Sequence, residues 1–188
     1  MKKFFELQPD IFARHVPQLS SGLSDRICFN TGAPIADEIP SPLAFTTNHS
    51  SKDPPKGMHG LQFPILSNTL IGALRRVGID NLQCFPAELR SNKDGTVWND
   101  YQVVNIIGLV AAADLEKSQS THIIDRPEED ALPLMAFDDL KIDHARAAGY
   151  LLFRLAESPG VIILADSVVE SLRKIQSDDD WGITLDER

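Results

Sequence analysis

Three side chains near the middle of the chain have the types that hydrolytic chemistry uses: the carboxylate of Asp114, the hydroxyl of Ser118 and the imidazole of His122. A hydroxyl becomes a nucleophile when a base within hydrogen-bond reach takes its proton. On a helix, Asp114 and Ser118 would share one face, because residues four apart are neighbours there. His122 would serve as the base only if the chain folds back toward them. The structural alternative is that Asp114 caps a helix and Ser118 bonds to the backbone.

Other signatures of enzymes and metal sites are weak or missing in the sequence. Asp143 and His144 place an acid beside a base, but neighbouring residues of a strand point in different directions. His49 and His59 lie among turn-forming residues, where solvated loop histidines are expected. None of the five histidines pairs with another at metal-ligand spacing. Because the motifs of phosphate-binding loops, serine hydrolases, zinc proteases and dinucleotide-binding folds are also missing, we expect no enzyme activity, no cofactor and no metal.

The composition is that of an ordinary globular protein. The chain has 188 residues, of which 43% are hydrophobic and 24% charged, so one domain can bury a core without a disulfide or a metal. Cys28 and Cys84 are far apart in the sequence and are expected to be reduced.

The first lysines are not followed by the apolar run of a signal peptide, and the chain lacks the ~18 consecutive apolar residues of a membrane span. We expect a cytoplasmic protein without a membrane partner.

The negative charge is confined to the C-terminal part of the chain, and the net charge is −9. Residues 1–113 carry ten basic and ten acidic side chains, whereas residues 114–143 carry three and nine, and residues 177–188 carry one and five. An acidic region repels phosphates, so nucleic acid is not expected as a partner. The same charge accelerates the approach of a basic protein, although a solvated acidic surface without a partner would have the same composition.

The apolar pattern predicts an α+β fold: a mixed, mainly antiparallel sheet with a few packed helices. Strands are expected at residues 3–8, 26–29, 63–66, 82–89, 101–109, 140–143, 151–155, 161–164 and 182–185. One helix is expected between the cap Ser67 and the terminator Gly78, and another after a cap at Asp166. Residues 30–60 predict a long irregular segment, and residues 125–133, which are acidic and contain two prolines, predict a loop.

One pattern recurs within the chain. A shift of 98 residues brings Ile65 and Leu66 onto Ile163 and Leu164, and both copies continue as a polar cap, an amphipathic helix and a strand. Each helix has basic residues in its last turn, where they match the helix dipole. The recurrence is either chance or the sign of two related strand–helix–strand units facing one mixed sheet.

The order of several segments carries a family resemblance. These segments are residues 63–67, 82–87, 101–106, 114–118, 160–166 and 181–185. In this order, over roughly residues 60–188, the chain resembles a bacterial immunity-protein family found beside polymorphic toxins, immunity family eleven. The resemblance implies an α+β domain over residues 61–188, with residues 1–60 as a variable N-terminal segment packed on it. It also implies a protein that binds and neutralises its own toxin, not an enzyme, and it provides no catalytic residues.

Two acidic clusters are the predicted contacts with a basic toxin. The first acidic cluster, in the predicted loop, is Glu128, Glu129 and Asp130. The second acidic cluster, followed directly by Trp181, is Asp178, Asp179 and Asp180. Adjacent carboxylates repel each other, so solvent, a cation or a basic partner must compensate them. The acids would accelerate docking and Trp181 would anchor it, or else the second cluster is a solvated turn with Trp181 packed inward.

Two other functions stay open at this point. One is a small hydrolase built on Asp114, Ser118 and His122, and the other is an interaction module that has no relation to toxins. A deep pocket joining the three side chains would favour the hydrolase. A neighbouring toxin gene would favour the immunity function over the general module. Formation of a homo-oligomer is also left open.

Overall fold

Two mixed sheets, three helices and a separate two-stranded hairpin make up the fold, in a computed structural model that describes residues 3–10, 15–20, 22–24, 27–60, 63–126 and 131–188. In chain order the elements are β1 (Phe4–Pro9), β2 (Gln18–Leu19), β3 (Leu43–Thr47), β4 (Met58–His59), β5 (Ile65–Ser67), α1 (Asn68–Arg76), β6 (Leu82–Ser91), β7 (Val97–Ile106), β8 (Leu109–Val110), β9 (Gln119–Arg126), β10 (Ala131–Asp139), β11 (Leu152–Leu155), β12 (Ile162–Ala165), α2 (Asp166–Arg173), α3 (Asp178–Trp181) and β13 (Ile183–Glu187). The predicted α+β class, with mainly antiparallel pairing and few helices, is confirmed.

The six-stranded sheet has the order β2-β3-β6-β7-β5-β4, and the five-stranded sheet has the order β13-β1-β12-β11-β8. The parallel pairs are β3 with β6 and β8 with β11. The N-terminal part of the chain contributes to both sheets, with β1 inside the five-stranded one and β3 inside the six-stranded one. A domain boundary near residue 60 stays a prediction.

Helix α1 forms where the cap and terminator signals predict it. The Ser67 hydroxyl accepts a hydrogen bond from the Leu70 amide, and the chain leaves the helix at Gly78 with a φ of 95°. Helix α2 differs from its prediction, because Ala165 occupies the cap position and Asp166 is the first helical residue. The Asp166 carboxylate instead accepts hydrogen bonds from the amides of Lys3 and Ser167.

The two recurring units have the same topology in the structure. Strands β5 and β6 flank β7, and α1 joins them across it. Strands β12 and β13 flank β1 in the same way, with α2 as the connection. Each unit is therefore a split strand–helix–strand motif with an antiparallel strand in the middle. The prediction that both units face one sheet is wrong, since each lies in a sheet of its own.

Three apolar clusters hold the layers together. The central core joins α1 and α2 to both sheets, through residues such as Leu70, Leu172 and Val104. The outer core of the five-stranded sheet contains Phe4 and Phe153, and a third cluster covers the other sheet. Each sheet is thus buried on both faces, which explains why every residue of β11 and β12 is buried.

Several predicted segments need correction. The described part of residues 26–29 forms no strand, and residues 30–60 contain β3 and β4 besides irregular chain. Residues 140–143 contribute only an isolated bridge between Ile142 and Ala113. The strands β9 and β10 extend into residues 125–133, which were predicted as a loop, and leave only residues 127–130 between them. None of the described helices has the length and apolar character needed to cross a membrane.

Candidate functional site

The hairpin of β9 and β10, which we call the arm, is the most exposed regular element among the described residues. Its strands pair with each other and, in the described structure, with no strand of the two larger sheets. Every side chain from Gln119 to Asp125 is exposed. Ile123 and Ile124 are 61% and 53% exposed, which is unusual for large apolar side chains on a strand. A two-stranded hairpin by itself is only marginally stable in water, so the arm depends on its attachment to the rest of the protein.

A β-bulge shapes the arm at these isoleucines. Ile124 pairs with Leu134 and His122 pairs with Met135, so Ile123 has no partner residue within the described register of the two strands. A bulge increases the local twist and changes the direction of the side chains around it.

The base of the arm is fixed to the body of the protein. The Met135 amide donates a hydrogen bond of 2.8 Å to the Glu157 carbonyl oxygen. This bond connects β10 to a residue outside the arm and is separate from the pairing of β10 with β9. The Ser118 hydroxyl accepts from the Lys141 amide at 2.9 Å and donates to the Lys141 carbonyl oxygen at 3.3 Å. The half-buried ring of Phe137 packs on the outer core of the five-stranded sheet. The arm is therefore held at its base and exposed beyond it.

The arm is strongly acidic. Residues 119–139 contain six acidic side chains and a single arginine. Three of the six acids are the first acidic cluster, Glu128, Glu129 and Asp130, which lies outside the described residues. Asp125 and Asp138 are exposed on the strands themselves. The first acidic cluster thus belongs to the connection between the two strands of the arm, and its contact with a partner stays a prediction.

The second acidic cluster forms the short helix α3. Asp178 makes a bidentate ion pair with Arg173, in which the guanidinium nitrogens lie 2.6 to 3.1 Å from the carboxylate oxygens. The Ser177 hydroxyl caps the helix by accepting from the Asp180 amide at 3.2 Å and donates to the Asp180 carboxylate at 2.6 Å. Acids in a first helical turn are also stabilised by the helix dipole. Part of their mutual repulsion is thus compensated within the chain, and exposed Asp179 is the acid with most freedom to meet a partner.

Trp181 does not belong to that surface. Its side chain is 1% exposed and lies in the central core, and its indole nitrogen donates to the Leu172 carbonyl oxygen at 3.3 Å. The chain at Gly57 passes so close that a Cβ there would lie 2.6 Å from the Trp181 carbonyl oxygen. The prediction that Trp181 anchors a partner is therefore wrong, and the alternative of an inward-packed ring is correct.

The three residues proposed for hydrolysis do not form a catalytic set. Asp114 pairs with the lysine three positions on, in a turn and not a helix. Both hydrogen-bonding roles of the Ser118 hydroxyl are used by the Lys141 backbone. His122 lies on exposed β9, with its Nε2 3.0 Å from the Asp125 carboxylate. Four residues of extended strand from Ser118 to His122 span roughly 13 Å, which is far beyond the reach of proton transfer.

His49 and His59, which the sequence placed in solvent, form a row of rings with His15 and Tyr101. The ring centroids of His15 and His49 are 5.3 Å apart, those of His49 and His59 are 5.4 Å apart, and the Tyr101 ring follows at 6.2 Å. The Tyr101 hydroxyl donates to the Pro55 carbonyl oxygen at 2.7 Å. No group of three potential metal ligands was found among the described residues.

His49 and His59 are only 7% and 3% exposed, so the prediction of solvated loop histidines is wrong. Each has a ring nitrogen 3.1 Å from a backbone carbonyl oxygen, that of Asp53 for His49 and that of Lys56 for His59. Burial lowers the pKa of both imidazoles, and that of His59 falls to about 4. His49 and His59 are therefore neutral at pH 7, and with Tyr101 they join the segment before β5 to β7.

Comparison with known protein families shows which kind of protein carries this exposed arm and these acidic clusters. Residues 6–187 match the family model described as Immunity protein family (Imm11). The chain belongs to this immunity protein family. The match runs from β1 to β13, so it also includes the N-terminal third, where the sequence alone showed no resemblance. A search of curated proteins finds no match to the immunity protein.

Membership gives the protein an immunity function in general terms and favours a role that is not enzymatic. The exposed strands of the arm are the candidate surface that sequence reasoning missed. Prolines and acids at residues 125–133 suggested a loop there. The neighbouring β-branched residues Thr121, Ile123 and Ile124 were the available signal for a strand.

Proposed function

We propose that this immunity protein binds a cognate toxin directly and neutralises it by covering its active surface, without catalysis. The family match over residues 6–187 carries the proposal. The partner would be a toxin of a bacterial polymorphic toxin system, met in the cytoplasm of the producing cell. Neither nucleic acid nor a membrane is part of the proposed interaction.

Charge is the second support for this proposal. The net charge is −9, and its excess lies in residues 114–143 and 177–188, the regions that contain the arm and the second acidic cluster. A basic toxin would approach such a surface faster than a neutral one, and like-charged proteins would be rejected. The second acidic cluster would contribute mainly through Asp179, since Asp178 and Asp180 also make contacts within the chain.

The experiment is a kinetic measurement on purified immunity protein and the purified product of the adjacent upstream toxin gene, in an inactivated form. In the test variant Asp178, Asp179 and Asp180 are changed to Lys together. We expect the association rate constant to fall roughly tenfold at low salt and its salt dependence to weaken. A melting curve of the variant is measured beside its kinetics, because the change replaces the Arg173–Asp178 ion pair by two like charges.

The matched control reverses two exposed acids from the charge-balanced N-terminal part, Asp37 and Glu38. It should leave the association rate within about twofold of the wild type, since charges farther than a Debye length of ~8 Å from the contact are screened. Equal association kinetics of the test variant and the wild type would show that the second acidic cluster is not part of the contact surface. Absence of any binding by the wild type would contradict the proposed function itself.

A further inference from the structure

We infer that the arm is the element that docks on the toxin, with Ile123 and Ile124 as apolar anchors in a toxin cleft whose rim is basic. The inference rests on the proposed function and adds the surface and the chemistry of the partner. It is carried by the exposure, the register and the charge of the arm.

The exposure of the two isoleucines is the first observation. The eight exposed large apolar side chains of the described residues include Ile123, Ile124 and Leu132 of the arm, and Leu115 just before it. Exposed apolar residues that are scattered singly need no explanation, but a group within one exposed element marks an interaction surface. Burying such a side chain in a partner favours binding, because apolar surface is removed from water.

The register shows which face of the arm is available. Paired residues of antiparallel strands share a face, and successive residues alternate, so Ile124 lies with Leu134 while His122 lies with Met135. Phe137 shares the face of Met135 and packs on the outer core of the five-stranded sheet. Ile124 therefore lies on the face that points away from this core.

The bulge indicates how the partner binds. Strand β9 has a free edge in the described structure, and a free edge can accept a strand from another chain. The bulge at Ile123 interrupts the regular ladder and twists that edge, which is a common protection against strand addition. Recognition through side chains is therefore favoured, and the bulge places two adjacent isoleucines at the most exposed part of the arm.

The negative charge of the arm determines which kind of partner can bind it. Six acids and one arginine within residues 119–139 would repel a second copy of the same arm, so a symmetric dimer through this surface is disfavoured. A toxin cleft with lysines or arginines at its rim would meet Asp125 and Asp138 while its apolar floor receives the isoleucines. Because the base of the arm is held by the Met135 and Ser118 hydrogen bonds, little conformational entropy is lost on binding.

The test is the equilibrium affinity for the purified, inactivated product of the adjacent toxin gene. The double variant Ile123→Ser with Ile124→Ser removes the anchors without touching a core, so its melting temperature should match the wild type. We expect its dissociation constant to rise on the order of 100-fold, as for the loss of two central apolar contacts. Ile124→Ser alone should give an intermediate loss.

Val16→Ser is the matched control, because Val16 is 57% exposed and lies outside the arm. Its affinity should stay within about twofold of the wild type. If the wild type binds the toxin and the double variant binds equally well, the arm is not the docking element while the proposed function stands. If the wild type is a dimer that the double variant dissolves, the isoleucines cover a second copy and the inference is overturned. If the wild type does not bind the toxin, the proposed function fails first.

Discussion

The Glu157 carbonyl oxygen accepts a hydrogen bond of 2.8 Å from the amide of Met135, and this bond ties the arm to the loop after β11. One carboxylate oxygen of the same Glu157 accepts from the Ala113 amide at 3.3 Å, and the other is buried without a hydrogen-bond partner. Burial raises the pKa of the Glu157 carboxyl. A single residue therefore connects the base of the arm to the segment that precedes it, and its charge is unfavourable there.

Glu157→Gln should stabilise the protein at pH 7 relative to the wild type. A raised pKa in the folded state means that the carboxyl contributes fully below its unfolded pKa of 4.5 and that this contribution is lost as the pH rises through the folded value. The advantage of Glu157→Gln in urea unfolding should therefore shrink as the pH is lowered from 7 toward 4. A difference between the two proteins that is the same at every pH would contradict the burial of this charge.

His59 should make the protein sensitive to acid. Its pKa is lowered from 6.5 to about 4 by burial, so the unfolded chain binds the proton more readily. The stability that the neutral ring provides is present above pH 6.5 and is lost as the pH falls toward 4, by up to roughly 3 kcal/mol. His59→Gln, which keeps a donor for the Lys56 carbonyl oxygen, should flatten this part of the pH profile. The substitution His122→Gln, at an exposed site, should leave the pH profile of stability unchanged. Equal profiles for the wild type and His59→Gln would refute the assignment of this acid sensitivity to His59.

Trp181 should affect stability and not toxin affinity. Trp181→Phe removes a donor to the Leu172 carbonyl oxygen and leaves space in the central core, so the free energy of unfolding should fall by about 1–3 kcal/mol. The affinity of the folded variant for toxin, measured well below its melting temperature, should equal that of the wild type. A loss of affinity without a loss of stability would show that the ring meets the partner after all.

Protection against the toxin should not depend on a catalytic role of Ser118 or His122. Ser118→Ala breaks the two hydrogen bonds to Lys141 and should cost about 1–2 kcal/mol of stability, while protection against the toxin persists at a temperature where the variant is folded. His122→Gln on the exposed strand should change stability little. If either variant kept its fold and its toxin affinity but lost protection, a catalytic role would return.

Much of the fold follows from local sequence signals. Ser67 and Gly78 bracket α1 because a hydroxyl cap and a left-handed terminator act within one helical turn. The strands β6 and β7 were equally visible as the predicted strands 82–89 and 101–109, since apolar runs bounded by turn residues predict strands. These signals need no knowledge of distant residues.

The candidate site was less predictable because its features depend on contacts far along the chain. Pro133 and the acids near it obscured the strands of the arm, and the bond that fixes the arm joins Met135 to Glu157 beyond β11. His59 and Trp181 are buried by segments distant in sequence, so neither their exposure nor the pKa of His59 can be read locally. The second acidic cluster was predicted as a contact surface or a solvated turn, and its helix α3, its ion pair with Arg173 and its cap at Ser177 required the structure.

The most direct measurement is co-expression of the immunity protein with the active product of the adjacent upstream toxin gene, followed by purification of the immunity protein. The account predicts that growth is restored, that both proteins purify together in a fixed ratio, and that the toxin in the complex is inactive but chemically unaltered. Continued growth arrest would contradict the account. So would restored growth without a complex, because protection would then come from chemistry and not from binding.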